Sequence, residues 1–470
     1  MANFLFRLSK FILICGAFAA AGCASLPNTD FLSQRYRVQA AQFESALGPL
    51  SEKRSAAIVS ALKRNSGNLD MLDKQIALEQ EIVGSALVVG NKVALLQDGP
   101  ITYAAMFTAI DGAKNHINLE TYIIEDDEVG QKFSRILISA QQRGVQVNLI
   151  YDSVGALSTP RAYFDEMIAA GINVLEFNPI NPSQLRKPWN LNHRDHRKLL
   201  IVDGSIAILG GVNISSVYSS GSGIKAIRGS GGVKGIEQDD NYGWRDTDIQ
   251  ITGPAVAEFQ KLFIQTWEKQ KGLQLAQKDY FPALTPQGND IVRAIGSTPD
   301  APYSQIYLTN IAAITNAEKN VYITNAYFVP DTQLLRALSD AAKRGVDVKI
   351  ILPGKSDSGT VFHAGRSHYR ELLEAGIKIY ERKSAVLHVK AAVIDGVWSC
   401  VGSSNLDWRS ALDNDELNAI ILGRDFAQLM TKQFISDITA STEINLSDWQ
   451  DRPLIFKVKE SLARLVSRLL

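Results

Sequence analysis

Apolar positions along the chain recur at two different spacings, and the changes between them divide the chain into elements. Runs rich in β-branched and apolar residues alternate with stretches of helical spacing: the runs lie at 117–124, 145–151 and 172–177, the stretches near 102–113, 129–142 and 160–170. Strand-like runs separated by helical stretches are typical of βα units. We therefore predict an α/β fold, an α-β-α sandwich in which the sheet is largely covered by helices.

The order of elements in the first part of the chain returns in the second. AEKNVYITNAYFVP resembles AKNHINLETYIIED, RGVDVKIILPG resembles RGVQVNLIYDS, and EAGIKIYE resembles AAGINVLE. This repeat predicts two duplicated halves at 86–270 and 304–442. Pro and Gly are scattered through residues 271–303, which favours a connection between the halves.

Two further segments with helical spacing lie outside the halves. Residues 24–85 carry apolar positions such as Leu72 and Ile76 on one face, which predicts an N-terminal helical arm for packing or spacing. Residues 443–470 end in an amphipathic tail, with Leu462, Leu465, Val466 and Leu469 at helical spacing and Lys457, Lys459, Arg464 and Arg468 elsewhere. Such a basic helix can lie on an anionic membrane or pack on the core, and the sequence leaves both open.

The most informative stretch is HRKLLIVDGSIAILGGVN at 196–213. Two apolar runs flank the Asp-Gly pair at 203–204, a dipeptide preferred in tight two-residue turns, so a β-hairpin is predicted. His196 and Lys198 are two residues apart on a strand and should face the same surface. A two-residue turn would place Gly211 across from His196.

The same arrangement returns at 388–405 as HVKAAVIDGVWSCVGSSN. His388, Lys390, the Asp395-Gly396 turn and Asn405 keep every interval of the first copy. Two halves packed about a pseudo-two-fold axis would bring the hairpins face to face in one cleft. That cleft would combine two imidazoles with two ammonium groups, which suits a phosphate.

H-x-K-x4-D followed by G-x-x-N, present twice, resembles the pattern of the phospholipase D superfamily, and the likeness covers about residues 85–440. Three further features resemble its bacterial cardiolipin synthase branch: FNP before an N-x-R-x-H-R-K run, GGVN in the first copy, and a W-x-x-R-P tail. The resemblance implies a phosphatidyltransferase that acts on glycerophospholipids through a covalent phosphohistidine and two displacements.

The chemistry of such a reaction gives each motif residue a role. A phosphodiester is anionic and resists attack, so its catalyst needs cations, a nucleophile and an acid for the departing alkoxide. Lys198 and Lys390 would compensate the phosphate charge, with the side-chain amides of Asn213 and Asn405 as hydrogen-bond donors.

The resemblance also implies a division of labour between the histidines. His196, in the N-terminal copy, would attack phosphorus, and His388 would protonate the leaving alcohol and later deprotonate the acceptor. The sequence alone does not fix this order.

Two pairs of carboxylates complete the candidate catalytic set. Aligning WRDTDIQITG with NDELNAIILG places Asp246 on Glu416, each at the start of a strand, where it would accept a hydrogen bond from a histidine Nδ1. Asp203 and Asp395 belong to the motif itself, but their position in the turns favours a structural role over a chemical one.

Composition and charge narrow the possible partners. The 470 residues are 46% apolar and 21% charged, which is ordinary for a globular protein. Lys plus Arg and Asp plus Glu number 49 each, so no overall field attracts polyanions. Nucleic acid is therefore not expected as a partner.

Neither a metal nor another cofactor is expected, because two lysines and two asparagines supply the electrostatic stabilisation. The paired acids Asp126-Asp127 and Asp239-Asp240 lie in apparent loops, and solvation explains them. Cys400 lies on a predicted strand, where core packing is its expected role.

The first 23 residues predict an export signal. Arg7 and Lys10 precede an apolar run of eleven residues, Phe11 to Ala21, which is too short to span a bilayer, and Gly22-Cys23 follows. This pattern resembles a lipoprotein signal, with Cys23 acylated and Ala24 directing the protein to the periplasmic side of the outer membrane of a bacterial envelope. A plain signal peptide cut near residue 21 and a short membrane anchor are the alternatives.

Two loops break the symmetry of the halves. The segment at 178–195 holds Arg186, Lys187 and Arg194, and is either a solvated loop or an electropositive approach for a lipid headgroup. The Gly- and Ser-rich segment at 219–235 should be mobile, and we expect it to cover the cleft.

The leading hypothesis is thus a membrane-associated phosphatidyltransferase of the cardiolipin synthase type, with a glycerophospholipid substrate and a membrane surface as partners. The alternative is a hydrolase with water as acceptor, either a phospholipase D or, less favoured by the zero net charge, a nuclease. A catalytically dead scaffold is disfavoured because both hairpins are intact.

Overall fold

The computed structural model describes residues 26, 27, 29, 40–180, 190–222 and 243–470. The predicted signal with Cys23 lies outside the described residues, as do Arg186, Lys187 and residues 223–235 of the Gly- and Ser-rich loop. No helix within the described ranges has both the length and the apolar composition needed to cross a membrane.

The N-terminal segment contains two helices, preceded by two short strands that the helical spacing does not predict. These elements are β1 (Phe43–Ser45), β2 (Gly48–Pro49), α1 (Glu52–Ser66) and α2 (Met71–Ile82). Leu72 and Ile76 of α2 are fully buried in a core shared with the second half of the chain. The segment therefore packs as part of the fold.

The first half alternates strands and helices as expected. Its strands are β3 (Leu87–Gln97), β4 (His116–Thr121), β5 (Gln146–Asp152), β6 (Asn173–Phe177), β7 (Arg194–Asp195), β8 (Leu199–Val202), β9 (Ile206–Gly210), β10 (Trp244–Arg245) and β11 (Thr247–Thr252). Its helices are α3 (Asp98–Gly112), α4 (Glu128–Gln142), α5 (Arg161–Ala169) and α6 (Val256–Lys269).

The second half repeats this plan. Its strands are β12 (Asp290–Ser297), β13 (Asn320–Asn325), β14 (Asp347–Pro353), β15 (Lys378–Arg382), β16 (Val386–Leu387), β17 (Lys390–Ile394), β18 (Trp398–Gly402), β19 (Asn414–Leu422) and β20 (Ser441–Ile444). Its helices are α7 (Gln305–Asn316), α8 (Thr332–Lys343), α9 (Gly359–Arg366), α10 (Tyr369–Glu374), α11 (Trp408–Leu412), α12 (Arg424–Thr439), α13 (Leu446–Gln450) and α14 (Leu454–Leu465).

Each half forms a mixed sheet with the same order of strands. In the first half the order is β6-β5-β4-β8-β9-β11-β3, with β4 to β6 parallel and the others antiparallel. In the second half it is β15-β14-β13-β17-β18-β19-β12. The two sheets meet where β12 pairs with β3.

The strand β12 lies inside the segment predicted as a connection. It pairs with β19 on one side and β3 on the other, so the second half begins before residue 304. A strand of this length between loops rich in Pro and Gly gives only a weak periodic signal, and its pairing partners are far away in sequence.

Side chains on the central strands alternate between two helical layers. On β8, Leu200 packs in the cluster formed with α3, α4 and α5, whereas its neighbour Leu199 packs with α6. The cluster on the α6 side also contains Ala419 and Phe426 from the second half. The predicted sandwich of helices around a sheet is confirmed, and the two halves share one core.

Candidate active site

The two predicted hairpins form, but each loop is one residue longer than expected. Val202 pairs with Ile206 and Ile394 with Trp398, which leaves three residues in each loop. Asp203 and Asp395 have φ values of 51° and 54°, a left-handed conformation that aspartate tolerates. The register therefore shifts by one residue, and the counting that set Gly211 across from His196 does not hold.

The loop aspartates bind backbone N–H groups. The Asp203 carboxylate accepts hydrogen bonds from the backbone at 114–116, at 2.9, 2.7 and 3.0 Å. The Asp395 carboxylate does the same with the backbone at 318–320, at 2.8, 2.7 and 2.9 Å. Each aspartate thus ties its hairpin to the start of the neighbouring strand, β4 or β13.

Each motif histidine is held by backbone from the other half. The strand β7, just before His196, pairs in parallel with the start of β19, and His196 N donates to Asp415 O at 2.9 Å. In the same way β16 pairs with β10, and His388 N donates to Arg245 O at 2.8 Å. These short bridges bring the two motifs together across the pseudo-two-fold axis.

The side chains of the histidines also bind the opposite half, through carboxylates. Nδ1 of His196 lies 3.1 and 3.2 Å from the two oxygens of Glu416, and Nδ1 of His388 lies 2.7 Å from Oδ2 of Asp246. An ionised carboxylate can only accept, so each Nδ1 carries the proton and each Nε2 keeps its lone pair. The sequence placed both carboxylates beside histidines, and the structure decides that each serves the histidine of the opposite half.

More side chains donate hydrogen bonds to Glu416 than to Asp246. Ser410 Oγ donates to Glu416 at 2.7 Å, and Ser403 Oγ and Asn414 Nδ2 also donate to it. Burial alone would raise the pKa of Glu416, but His196, the Lys198 charge and the hydrogen bond from Ser403 hold the pKa below its ordinary value.

The position equivalent to Ser403 in the first half is a glycine. A Cβ on Gly211 would lie 2.3 Å from Oδ1 of Asp246, so only glycine leaves room for that carboxylate. The GG and GS pairs of the two motif copies therefore have different physical reasons. Gly211 leaves room for the Asp246 carboxylate, whereas Ser403 donates a hydrogen bond to the Glu416 carboxylate.

The motif lysines are buried and bind the main chain beside the histidines. Lys390 Nζ donates to His388 O at 2.6 Å, and Lys198 Nζ donates to His196 O. Burial lowers the pKa of Lys198 to about 7 and that of Lys390 to about 8. Both ammonium groups can therefore change charge near neutral pH.

The pKa values of the two imidazoles are lowered as well. Burial, together with the Lys198 charge, lowers the pKa of His196 to about 4. Burial and Lys390 likewise lower the pKa of His388 below its ordinary value. At neutral pH the unliganded site thus holds neutral imidazoles, which is the protonation state that a nucleophile requires.

Both histidines line one cavity of about 360 Å³ whose wall is drawn from both halves. The candidate amides Asn213 and Asn405 also line it. Nδ2 of Asn213 donates to Tyr218 Oη at 2.9 Å, whereas the buried Oδ1 of Asn405 has no hydrogen-bond partner within the described part of the chain. The two amides are therefore not equivalent.

The cavity wall contains residues that the sequence did not reveal. Tyr122 lies with its ring 5.1 Å from His196, and Trp244 lies 5.4 Å from His388. Asp357 and Asp407 add two carboxylates on the side of the second half, and burial raises the pKa of Asp407 to about 7. The repeat offers no signal for these residues because it equates Tyr122 with Ala326 and Trp244 with Asn414.

Arg194, the one described basic residue of the 178–195 loop, is buried and lines the cavity. Its Nη1 donates to Ser153 Oγ at 2.8 Å and lies 3.5 Å from Asp152. The guanidinium in the cavity wall is thus paired with a buried carboxylate of the same half. Within the described residues, no group of three or more His, Cys, Asp or Glu side chains could hold a metal ion.

Comparisons with known proteins agree with this geometry. The family model "Cardiolipin synthase, PLD-like domain" matches residues 106–220 and 311–438, which contain both hairpins. The cardiolipin synthase of Geobacillus kaustophilus (strain HTA426) is 32% identical over 98% of this chain and 88% of its own. That of Geobacillus thermodenitrificans (strain NG80-2) is 35% identical over 81% of this chain and 73% of its own.

The fold is similar to that of a solved phospholipid enzyme. A phosphatidylserine synthase from Haemophilus influenzae Rd KW20 superposes with a TM-score of 0.61, covering 84% of this chain and 100% of its own, at 15% identity. At that identity the likeness concerns the fold alone.

Proposed function

The chain belongs to the phospholipase D superfamily, in its cardiolipin synthase family, and from this premise we infer that it is a phosphatidyltransferase that joins two glycerophospholipids. The resemblance seen in the motifs is thereby confirmed. One observation carries the inference: two imidazoles, each held by a carboxylate of the opposite half, face a single cavity. That arrangement serves displacement at one phosphorus atom from two sides.

In the first step, Nε2 of His196 attacks the phosphorus of the donor lipid. A bond forms between nitrogen and phosphorus, and the bond from phosphorus to the headgroup oxygen breaks. His388, protonated when the anionic substrate is bound, gives its proton to the departing alkoxide. The product of this step is a phosphatidyl group on His196 and a free alcohol.

In the second step, the neutral His388 takes the proton from the hydroxyl of a second lipid. The resulting oxygen nucleophile attacks phosphorus, the bond to His196 breaks, and a new phosphodiester forms. Glu416 and Asp246 keep the Nδ1 protons in place, and they stabilise the imidazolium that develops on either ring.

The lysines and the cavity wall supply the electrostatic stabilisation in this scheme. Lys198 and Lys390 compensate the charge on the phosphate oxygens. Asn405 Oδ1 is free to accept a hydrogen bond from a substrate hydroxyl. Because their carboxylates are saturated by backbone N–H groups, Asp203 and Asp395 position the hairpins and do not act on the substrate.

The decisive experiment combines product analysis with trapping of the intermediate. The purified full-length chain is incubated with labelled phosphatidylglycerol, with and without a second lipid alcohol. Formation of cardiolipin supports the transferase, whereas phosphatidic acid alone would indicate hydrolysis, and cleavage of DNA but of neither lipid would refute the lipid assignment.

Two variants test the roles of the histidines against each other. With a phosphatidyl p-nitrophenyl ester as donor, whose leaving group needs no acid, His388→Ala should accumulate a phosphatidyl adduct on the peptide that contains His196, detectable by mass spectrometry, because the second step lacks its base. His196→Ala should form no adduct. An adduct on His388 in the His196→Ala variant would reverse the assignment.

We also propose that the protein is held at a bacterial envelope membrane as a lipoprotein acylated on Cys23, facing the periplasm from the outer membrane. The support is the sequence pattern of residues 1–23 and the lipid nature of the substrate. Wild type should incorporate labelled palmitate in cells and Cys23→Ser should not. Labelling that survives in Cys23→Ser would exclude this anchor.

A further inference from the structure

An exposed apolar face runs along α14 and points away from the protein. Leu454, Val458, Leu462 and Leu465 recur at intervals of four, four and three residues, so they share one side of the helix. Their side chains are 74%, 46%, 60% and 81% exposed. Ile455 broadens the same face and is also exposed.

The opposite side of α14 attaches the helix to the protein through a charged residue. Glu460 is buried and accepts hydrogen bonds from Arg452, with Arg366 at 3.9 Å. Ala463 packs in a small cluster with Val329 and Ala364. A surface helix of a soluble domain ordinarily turns its apolar side inward. Here an ion pair faces inward and the leucines face outward.

Positive charge flanks the apolar face on both sides. Lys459 stands on one flank, and Lys457 and Arg464 stand on the other. The second flank opens into a recess of about 460 Å³ lined by Arg370, Arg452, Lys457 and Arg464, with Glu460 as its acidic member. This recess matches the charge and size of phosphate headgroups.

The end of the chain connects this surface to the catalytic cavity. Leu469 and Leu470 line the cavity that holds both histidines, and Arg409 N donates to Leu470 O at 3.3 Å. Val361 of α9, the helix against which α14 packs, lines the same cavity. The segment that follows α14 and the helix on which α14 packs therefore both reach the catalytic cavity.

We propose that the outward face of α14 is a membrane-docking surface that lies in the interfacial layer of an anionic bilayer. The lipid nature of the substrate rests on the proposed function. The bilayer matches both features of the surface, because acyl chains accommodate the leucines while anionic headgroups bind the basic flanks. The same face of a second copy would instead set basic flank against basic flank.

The test separates docking from chemistry by substrate form. The variant Val458→Glu with Leu462→Glu is compared with the full-length wild type and with Leu47→Glu plus Leu273→Glu, two leucines exposed elsewhere at 99% and 69%. Transfer is measured on phosphatidylglycerol vesicles and on dihexanoyl phosphatidylglycerol below its micellar concentration. Docking predicts that the α14 variant transfers lipid at least tenfold more slowly than wild type on vesicles but within twofold of wild type on the soluble lipid. The control variant should transfer both at nearly the wild-type rate. Equal rates of the α14 variant and the control on vesicles would refute it.

Hydrogen exchange provides a second measurement that does not depend on turnover. Amides at 454–466 of the wild type should exchange more slowly with phosphatidylglycerol vesicles than with phosphatidylcholine vesicles. If the wild type transfers neither lipid, the proposed function fails while this comparison still decides docking. Equal exchange with the two kinds of vesicle would refute docking. Docking would also be refuted if light scattering showed that the wild type is a dimer, that the α14 variant is not, and that the variant still turns over vesicle lipid at the wild-type rate.

Discussion

Nδ1 of His388 lies 2.7 Å from Oδ2 of Asp246, a carboxylate that the chain supplies 142 residues earlier and from the opposite half. Glu416 and His196 form the reciprocal contact. Each half therefore contributes a histidine to one hydrogen-bonded pair and a carboxylate to the other. A complete histidine and carboxylate pair exists only when both halves are packed, which explains why duplication gives one site and not two.

Replacing Asp246 by Asn should lower kcat by about 10²- to 10⁴-fold with little change in KM. The amide can donate to Nδ1 of His388, which moves the ring proton to Nε2 and leaves the wrong tautomer for taking a proton. Steady-state transfer kinetics measure the effect. Asp165→Asn, at an exposed carboxylate paired with Arg161, is the matched control and should behave as wild type. A fall in KM with unchanged kcat would contradict the orienting role.

The pH profile of kcat/KM should rise above a pH of about 4, where His196 loses its proton, and fall first where the acid His388 loses its proton, at a pKa that burial holds below the ordinary histidine value. It should fall again between about 7 and 8, where Lys198 and Lys390 lose theirs. The sign follows from charge: neutral lysines no longer attract the phosphodiester. Replacing both lysines by arginine, which stays protonated, should remove the decline between about pH 7 and 8 from any residual activity and leave the decline that belongs to His388. Lys378→Arg, at an exposed position at the start of β15, serves as control. A wild-type profile that is flat from pH 6 to 9 would count against the lysines.

Asp203→Ala should affect stability more than catalysis. The substitution leaves backbone N–H groups at 114–116 without their acceptor, at a cost of about 1–3 kcal/mol in the free energy of unfolding. Urea unfolding measures the loss, and kcat per folded molecule should stay within about threefold of wild type. Asp395→Ala should behave alike, because its carboxylate makes the equivalent contacts. A large loss of kcat at unchanged stability would instead assign these aspartates to the chemistry.

Alanine should lower kcat by different factors at two equivalent positions of the motifs, Gly211 and Ser403. Gly211→Ala places a methyl group against Asp246, so kcat should fall by 10²-fold or more, about 2.7 kcal/mol. Ser403→Ala removes one donor to Glu416, which keeps Ser410 and Asn414, so the fall should be about tenfold or less. Parallel kinetics on the two variants test this, and equal losses would show that the asymmetry has no consequence.

The sequence alone determined the secondary structure around the site and the identity of its main residues. Intervals such as His-x-Lys and the alternation of Leu199 and Leu200 are set by covalent spacing, and a strand converts that spacing directly into shared or opposite faces. Because the motif occurs twice with the same intervals, a pattern that is weak in one copy becomes specific. The family, the duplicated halves and both histidines followed from these local signals.

Only the tertiary structure decided which groups meet. The partners of His196 and His388 are 220 and 142 residues away, and the short bridges of β7 with β19 and β10 with β16 determine their pairing. Tyr122 and Asp407 reach the cavity through packing that breaks the repeat. The outward turn of α14 likewise depends on the ion pair of Glu460 with Arg452. Spacing along a chain fixes the direction of a side chain within its own element, whereas the contact across two elements depends on how the whole core is filled.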